Sequence, residues 1–276
     1  MFRQRSGSSL CYACGKLNRV DASVCFYCGR RNPGLWGLGP TIGRLIGGLD
    51  FAALVRVVAI AAYIASLALD PRSALDPHGV FDLFAPGGGA LLALGMAGAA
   101  PWQAGRWWTV LTAIYLHGSL LHILFNLLWI RQLLPDVEEV YGQARTIVIF
   151  TLSGAAGFLL SNAAGTRFTL GASGAIFGVL GAMVWYGRRR GGLFGAAVFR
   201  QYGVWALILF VAGLLPGMRV DNWGHAGGFL GGVVVALLLG SRDQRSERGI
   251  HKVLAAACLA LTAAAFGIQL WTAFAP

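Results

Sequence analysis

The chain has 276 residues, of which 57% are hydrophobic and 12% charged, and its formal net charge is +11 at pH 7. Soluble domains contain about 45–50% apolar and about 25% charged residues, so an ordinary soluble enzyme, a disordered chain and a collagen are excluded. The composition predicts a polytopic membrane protein, in which basic residues mark the cytoplasmic side. We therefore expect a lipid bilayer, and no nucleic acid, as the partner of the positive charge.

Two cysteine pairs lie near the start of the chain. Cys11 and Cys14 belong to the first C-x-x-C-G sequence, and Cys25 and Cys28 belong to the second. Zinc binds four thiolates in a tetrahedron, and this spacing is typical of zinc sites, although two disulfides in a secreted segment are the alternative. We predict a structural zinc ion, because so short a segment cannot bury a core of its own. Thiolates that stay reduced favour a cytosolic N-terminus.

Seven apolar stretches approach the length of about 20 residues that a membrane-spanning helix needs. They are residues 51–69, 111–135, 146–163, 172–187, 202–217, 225–240 and 252–273. Residues 80–100 are also apolar, but Pro86 and the glycines at 87–89 interrupt them, so we expect a large loop in or on the outer membrane surface. The predicted fold class is all-α: a polytopic transmembrane helical bundle with a small N-terminal zinc ribbon.

The basic residues orient these spans. With a cytosolic N-terminus, the inward connections carry Arg188–Arg190 and the basic residues between 242 and 252, whereas the outward connections carry few. This bias follows the positive-inside rule and predicts an external C-terminus. Lysine occurs only at positions 16 and 252, and such heavy use of arginine, alanine and glycine is typical of GC-rich bacterial genomes. We therefore expect the bacterial cell (inner) membrane.

Polar residues inside apolar spans are costly and are often functional. His122 and Asn126 are separated by four residues, so they share one face of a helix and can direct donors to a common point. Hydrogen bonds between neighbouring helices would use the same residue types, and the spacing alone leaves both interpretations open.

A serine and a histidine each stand at the start of a glycine-rich span. Ser173 is followed by Gly174 and Gly178, while His225 is followed by Gly228 and Gly232. Small residues at this spacing let two helices approach closely, so Ser173 and His225 could meet as a nucleophile and its base. The alternative is helix packing with an incidental serine.

Taken together, these motifs resemble the rhomboid family of intramembrane serine proteases. The resemblance covers about residues 51–240 and includes the stretch 105–112, which is similar to the outer-loop signature of that family. It implies a six-helix protease core over 51–240 and a six-plus-one arrangement, with an additional C-terminal transmembrane helix over 241–276. Before the core we expect a cytosolic zinc-ribbon-like segment over 1–36 and a linker over 37–50.

The resemblance also implies roles for individual residues. Ser173 would be the nucleophile and His225 the general base of a catalytic dyad. His122, Asn126 and the backbone N–H of Ser173 would form the oxyanion hole. Phe177 would stack on the catalytic histidine, at a position where the family often has tyrosine. No cofactor is expected for catalysis.

Two further positions, Thr109 and Asp221, affect which features of the family are expected in this chain. Thr109 follows the paired tryptophans where the family often has arginine, which puts the anchoring of the outer loop in question. Asp221 precedes His225 by four residues and is expected to be a solvated loop residue, so the sequence favours a dyad over a triad.

The implied substrates are single-span or polytopic membrane proteins. His122, Ser173 and His225 each lie 14 to 16 residues from the inner end of their spans, roughly 21–24 Å along a helix. Cleavage is therefore expected near the outer membrane face. The alternatives are a catalytically weak relative that binds or retains membrane substrates, and a solute transporter, although the chain lacks the internal repeats common in transporters.

Overall fold

The computed structural model describes residues 7–11, 16–29, 31–33, 50–75, 79, 82–215, 220–244 and 246–274. The chain divides into two compact units, residues 1–54 and residues 55–276. The first unit holds the cysteine-rich segment, and the second unit is helical.

The N-terminal unit is built on a small antiparallel hairpin. Strand β1 covers Ser8–Leu10 and strand β2 covers Leu17–Arg19. A second short bridge joins Val24 to Arg31. Isolated two-stranded hairpins are at best marginally stable in water, so this unit needs a further source of stability.

The described residues contain eleven α-helices, which lie in the second unit except for the first four residues of the first helix. In chain order they are α1 Phe51–Leu69, α2 Pro71–Ala74, α3 Gly88–Leu94, α4 Ala99–Gln103, α5 Thr109–Thr112, α6 Leu120–Tyr141, α7 Gln143–Ala163, α8 Ser173–Arg190, α9 Gly192–Ala212, α10 Asn222–Leu239 and α11 Gly249–Phe274. A short 3₁₀ helix over Ala113–Tyr115 joins α5 to the segment before α6.

Six helices of the described chain are long and apolar enough to cross a membrane, namely α1, α6, α7, α9, α10 and α11. Helix α8 has a shorter apolar stretch than these six helices, because the last three of its 18 residues are arginines. Most of α8 before those arginines is buried, and it packs against α6, α7, α9 and α10. The predicted seventh span is therefore a central helix enclosed by its neighbours, and the helical bundle is confirmed.

Glycines allow α8 and α10 to pack backbone to backbone. A Cβ atom at Gly228 would collide with the carbonyl of Gly174, and one at Gly232 would collide with that of Gly178. Helix α7 joins the same arrangement, because a Cβ at Gly157 would lie 2.6 Å from the carbonyl oxygen of Gly224. The close approach predicted from the glycine spacing is present.

Two predicted spans have the wrong limits. The stretch 111–135 is not one helix, because the chain is extended at Leu116 and α6 begins only after Ser119, whose side chain accepts a hydrogen bond from the backbone N–H of His122. Residues 202–212 of the stretch 202–217 belong to α9, which begins ten residues earlier at a turn where Gly191 has φ +66° and ends at Ala212; residues 216 and 217 lie outside the described residues.

The apolar stretch at 80–100 is partly helical. It contains α3 and the start of α4 and is followed by α5. We call residues 82–119 the outer loop, after the side of the membrane that the sequence predicts for them. This loop pairs with the segment that precedes α8: Ala97 and Thr169 exchange two backbone hydrogen bonds, of 3.1 and 2.9 Å. The outer loop is thus attached directly to the chain that leads into Ser173.

Candidate active site

The structure brings Ser173 and His225 into hydrogen-bond contact. Ser173 is the first residue of α8, and His225 lies in the first turn of α10. The Nε2 atom of His225 is 2.9 Å from the Oγ atom of Ser173. The glycine contacts between the two helices produce this contact, because larger residues at the interface would hold the helix axes further apart.

An aromatic ring holds the imidazole in place. Phe177, one turn after Ser173, stacks on His225 with ring centroids 4.1 Å apart and an interplanar angle of 17°. Phe210 of α9 packs against the edge of Phe177. The ring predicted to stack on His225 is therefore in contact with it, and it fixes the plane in which Nε2 faces Ser173.

The side chain of His122 points to the backbone just before Ser173. Its Nδ1 atom accepts a hydrogen bond of 3.3 Å from the N–H of Gly118, so in the neutral ring the hydrogen resides on Nε2. Nε2 in turn faces Gly171, where a Cβ atom would lie only 2.7 Å away. Gly171 has φ +123°, a conformation that only glycine adopts without strain.

Asn126 lies one turn further into α6 and is buried, with 4% of its surface exposed. Its Nδ2 group donates a hydrogen bond of 2.8 Å to the carbonyl of His122, rather than to Ser173 or His225. The amide keeps a second N–H, so it retains the capacity to donate to a substrate oxygen. Of the two donors predicted on α6, the structure brings His122 close to the serine, whereas Asn126 makes a local contact.

Asp221 is not the solvated loop residue that the sequence suggested. It is the N-cap of α10, where Oδ1 accepts from the backbone N–H of Gly224 at 2.9 Å. Its other oxygen accepts from Thr169 Oγ1 at 2.6 Å and from Ser161 Oγ. The carboxylate therefore joins α10 to α7 and to the segment before Ser173.

Sequence reasoning missed this role because the partners of Asp221 are 52 and 60 residues away. The available signal was an aspartate immediately before a helix, a typical N-cap. Asp221 makes no hydrogen bond to the imidazole: the Nδ1 atom of His225 is buried and has no hydrogen-bond partner in the described part of the chain.

The outer loop is anchored despite the threonine at position 109. Thr109 is fully buried, and its hydroxyl donates to the carbonyl of Arg106 at 2.7 Å. Arg106 itself donates to the carbonyl of Leu92 at 2.9 Å. A backbone bond from Gly171 to the carbonyl of Ala113 then ties the loop to the active-site segment.

Three of the four predicted zinc ligands cluster in the N-terminal unit. The sulfur atoms of Cys11, Cys25 and Cys28 lie within 4.8 Å of one another, whereas Cys14 falls outside the described residues. The sulfurs of Cys11 and Cys28 are 3.8 Å apart, too far for a disulfide. Asn18 donates to Cys25 Sγ at 3.3 Å, as outer-shell residues of metal sites do.

Comparison with known proteins agrees with the resemblance to the rhomboid family. The family model described as Rhomboid domain matches residues 104–242. Rhomboid protease GluP of Bacillus subtilis (strain 168) is 35% identical over 139 residues, which cover 49% of this chain and 27% of the relative. Rhomboid protease GlpG of Salmonella newport (strain SL254) is 34% identical over 134 residues, 48% of each chain.

A plant relative extends the comparison. RHOMBOID-like protein 5 of Arabidopsis thaliana is 32% identical over 158 residues, which cover 51% of this chain and 47% of the relative. The chain thus spans about half or less of the length of these relatives. The matched range includes Ser173, His122 and His225, together with the paired tryptophans at 107 and 108.

Proposed function

The chain belongs to the rhomboid family, and from this premise we propose that it is an intramembrane serine endopeptidase that cleaves transmembrane helices of membrane proteins. The main support for the proposal is the 2.9 Å contact between Ser173 Oγ and His225 Nε2, in which stacking of Phe177 holds the plane of the imidazole ring. A nucleophile within hydrogen-bond reach of an oriented base is the arrangement that covalent catalysis needs.

In the proposed reaction Ser173 Oγ attacks the carbonyl carbon of the scissile peptide while His225 Nε2 takes the hydroxyl proton. The imidazolium then gives this proton to the departing amine nitrogen, which leaves an acyl-enzyme ester. A water molecule attacks the ester, again losing a proton to Nε2, and the proton returns to Ser173 as the acid product leaves. The dyad completes both steps without a cofactor.

Three donors support the negative charge that develops on the carbonyl oxygen. The Nε2–H of His122 and the backbone N–H of Ser173 adjoin Gly171, and Asn126 offers its second amide N–H. Ser173 opens α8, and the first N–H groups of a helix have no intrahelical acceptor and carry partial positive charge. Oxyanion stabilisation of this kind is commonly the largest catalytic contribution.

The proposal includes a topology and a location. We place the N-terminus in the cytosol, the C-terminus outside and the protein in the bacterial cell (inner) membrane, because the arginine-rich end of α8 favours the cytosolic side. The proposed organisation is a zinc-ribbon-like segment over 1–36, a linker over 37–50, the protease core over 51–240 and the additional helix over 241–276. Cys11, Cys14, Cys25 and Cys28 would hold a structural zinc.

The test uses the full chain purified in detergent and a fluorophosphonate probe, which reacts with activated serines. Wild type should become labelled and should cleave a single-span model substrate, while Ser173→Ala and His225→Ala should do neither and should keep the thermal stability of wild type. Ser66→Ala is the control, because this buried serine lies on α1 and its hydroxyl donates to the carbonyl of Tyr63 in the same helix. Binding of the substrate without labelling or cleavage by wild type would favour the catalytically weak relative.

A further inference from the structure

Gln269 is a fully buried amide on α11, the additional C-terminal helix. Its Nε2 group donates to the carbonyls of Leu92 and Ala93, at 3.2 and 2.7 Å. Its Oε1 atom accepts from the indole N–H of Trp108 at 3.0 Å. A polar side chain in an apolar span is costly unless its hydrogen bonds are satisfied, and here every bond goes to the outer loop.

The backbone of the outer loop is shaped to receive this amide. Gly95 has φ +103°, and a Cβ atom there would collide with Thr112 and lie 3.1 Å from Cγ of Gln269. The hydroxyl of Thr112 donates to the carbonyl of Gly95 at 2.7 Å and fixes this turn. Leu92, Ala93 and Trp108 therefore face Gln269 from a loop whose own conformation is set by hydrogen bonds.

Helix α11 also packs against α3 and α5 of this loop. Beside these contacts lies an open groove of about 540 Å³, and Ala104, Arg106 and Thr272 are among the residues that line it. Tyr115 and Phe266 add an aromatic contact, with ring centroids 5.9 Å apart. The hydrogen bonds of Gln269 add a directional attachment to this packing, because each joins one donor to one acceptor at a defined distance.

The same loop holds the segment that leads into the active site. Ala97 is paired with Thr169, and the N–H of Gly171 donates to the carbonyl of Ala113 at 2.9 Å. The hydroxyl of Thr169 in turn donates a hydrogen bond to Asp221, the N-cap of the helix that contains His225. A continuous set of contacts therefore joins Gln269 to both helices of the Ser173–His225 pair.

We propose that Gln269 is a positioning residue for the active site, and that α11, which lies outside the matched rhomboid domain, is a working part of the protease. This inference rests on the proposed function. The amide of Gln269 holds the outer loop, and the loop holds the segment before Ser173 at the distance that the dyad requires. Without that amide the loop loses these hydrogen bonds to α11 and shifts on the helix, and small displacements of reacting groups lower the catalytic rate strongly.

The test compares Gln269→Met, which keeps the length of the side chain but removes its hydrogen bonds, with Thr262→Val as the matched control. Thr262 is a buried polar residue on the same helix, but its hydroxyl donates only to the carbonyl of Cys258 in that helix. In the purified full chain, hydrogen–deuterium exchange is measured for residues 92–112, together with kcat and KM for a single-span substrate.

For Gln269→Met we expect faster exchange over residues 92–112 and a kcat lowered roughly ten- to a hundredfold, with KM within about twofold of wild type. Thr262→Val should match wild type in both measurements. A milder variant, Trp108→Phe, removes one of the three bonds from the loop side and should shift both values in the same direction. Trp102→Phe, at an exposed position of the same loop, is its control.

Unchanged exchange and unchanged kcat in Gln269→Met would overturn the inference, and so would a loss of kcat that only follows a lowered fraction of folded protein. The proposed function fails separately, if wild type neither reacts with fluorophosphonate nor cleaves substrate. The exchange measurement does not depend on proteolysis, so it still decides in that case whether Gln269 holds the outer loop.

Discussion

At the scale of single residues, one backbone hydrogen bond decides what His122 can do. A neutral imidazole has one donor and one acceptor nitrogen, and the N–H of Gly118 occupies the acceptor at Nδ1. The donor at Nε2 is thereby directed at the backbone of Gly171, beside the serine. The i, i+4 spacing in the sequence predicted a shared face with Asn126, but not which atom of the ring would donate.

The two hypotheses for Asn126 make different predictions. If its amide donates to the oxyanion, Asn126→Ala lowers kcat by roughly 10²–10³, the usual effect of losing one such donor, with little change in Tm. If it only packs, Tm and activity fall together, because a buried polar group has been removed. Kinetics and thermal unfolding of the variant separate the two, and Asn162→Ala, at the end of α7, controls for loss of an amide elsewhere.

Asp221 acts through hydrogen bonds rather than through contact with the reacting atoms. Asp221→Ala removes the acceptors for Gly224, Thr169 and Ser161, and we expect a loss of about 1 kcal/mol or more of stability, typical of a lost N-cap. Asp221→Asn keeps one oxygen acceptor and should retain most of the stability. Chemical denaturation compares the two variants, and equal destabilisation by both would contradict the N-cap account.

Glycine spacing, a local pattern, indicated that Ser173 and His225 could meet, whereas the stacking of Phe177 was implied only by the resemblance to the rhomboid family. The sequence did not predict Asp221 or Gln269 as connecting residues, since the contacts of Gln269 lie 161 to 177 residues away along the chain. Gln269 was nevertheless visible in principle as a glutamine inside an apolar span. The sequence alone did not indicate which residues Gln269 would contact.

At the scale of elements, the length of an apolar stretch predicts the presence of a helix more reliably than it predicts the residue at which the helix begins. Residues 111–119 are as apolar as the helix that follows, yet they form α5, a 3₁₀ turn and an extended segment. The start of α6 is set by the Ser119 cap, and that of α9 by the left-handed Gly191. Hydropathy averages over about 20 residues and does not resolve such local features.

The cysteine cluster is the element whose stability should depend on a metal. We expect about one zinc ion per chain in reduced, freshly purified protein, because thiolates within 4.8 Å of one another suit a tetrahedral site. Cys28→Ala should abolish the bound zinc, whereas Cys258→Ala, in α11, should not. Elemental analysis of the two purified variants measures the zinc bound per chain.

Removing residues 1–36 should eliminate the zinc and leave fluorophosphonate labelling intact, since this segment contains no residue of the Ser173–His225 site. Zinc-free wild-type protein with the same Tm as a zinc-loaded sample would contradict a structural role of the metal.

At the scale of the whole molecule, three separate helices place their reactive side chains at one level. His122, Ser173 and His225 each lie in the first turn of α6, α8 and α10. Ser173 is 14 residues before Gly187, roughly 21 Å along α8, and the arginines that follow favour the membrane surface. Residues that only pack helices together would have no reason to share this level.

With the proposed function, this common level predicts where a substrate would be cut. The hydrocarbon core is about 30 Å thick, so with the proposed topology the site would lie roughly 6–9 Å below the outer edge when helix tilt is ignored. Hydrolysis needs water, which a shallow outward-facing site can receive and the bilayer centre cannot. The substrate helix must also unwind there, because a helical backbone hides its carbonyls from attack. Mass spectrometry of fragments from a single-span substrate in liposomes should therefore locate cuts near the outer end of the span, whereas cuts at its middle or in its cytosolic half would refute this placement.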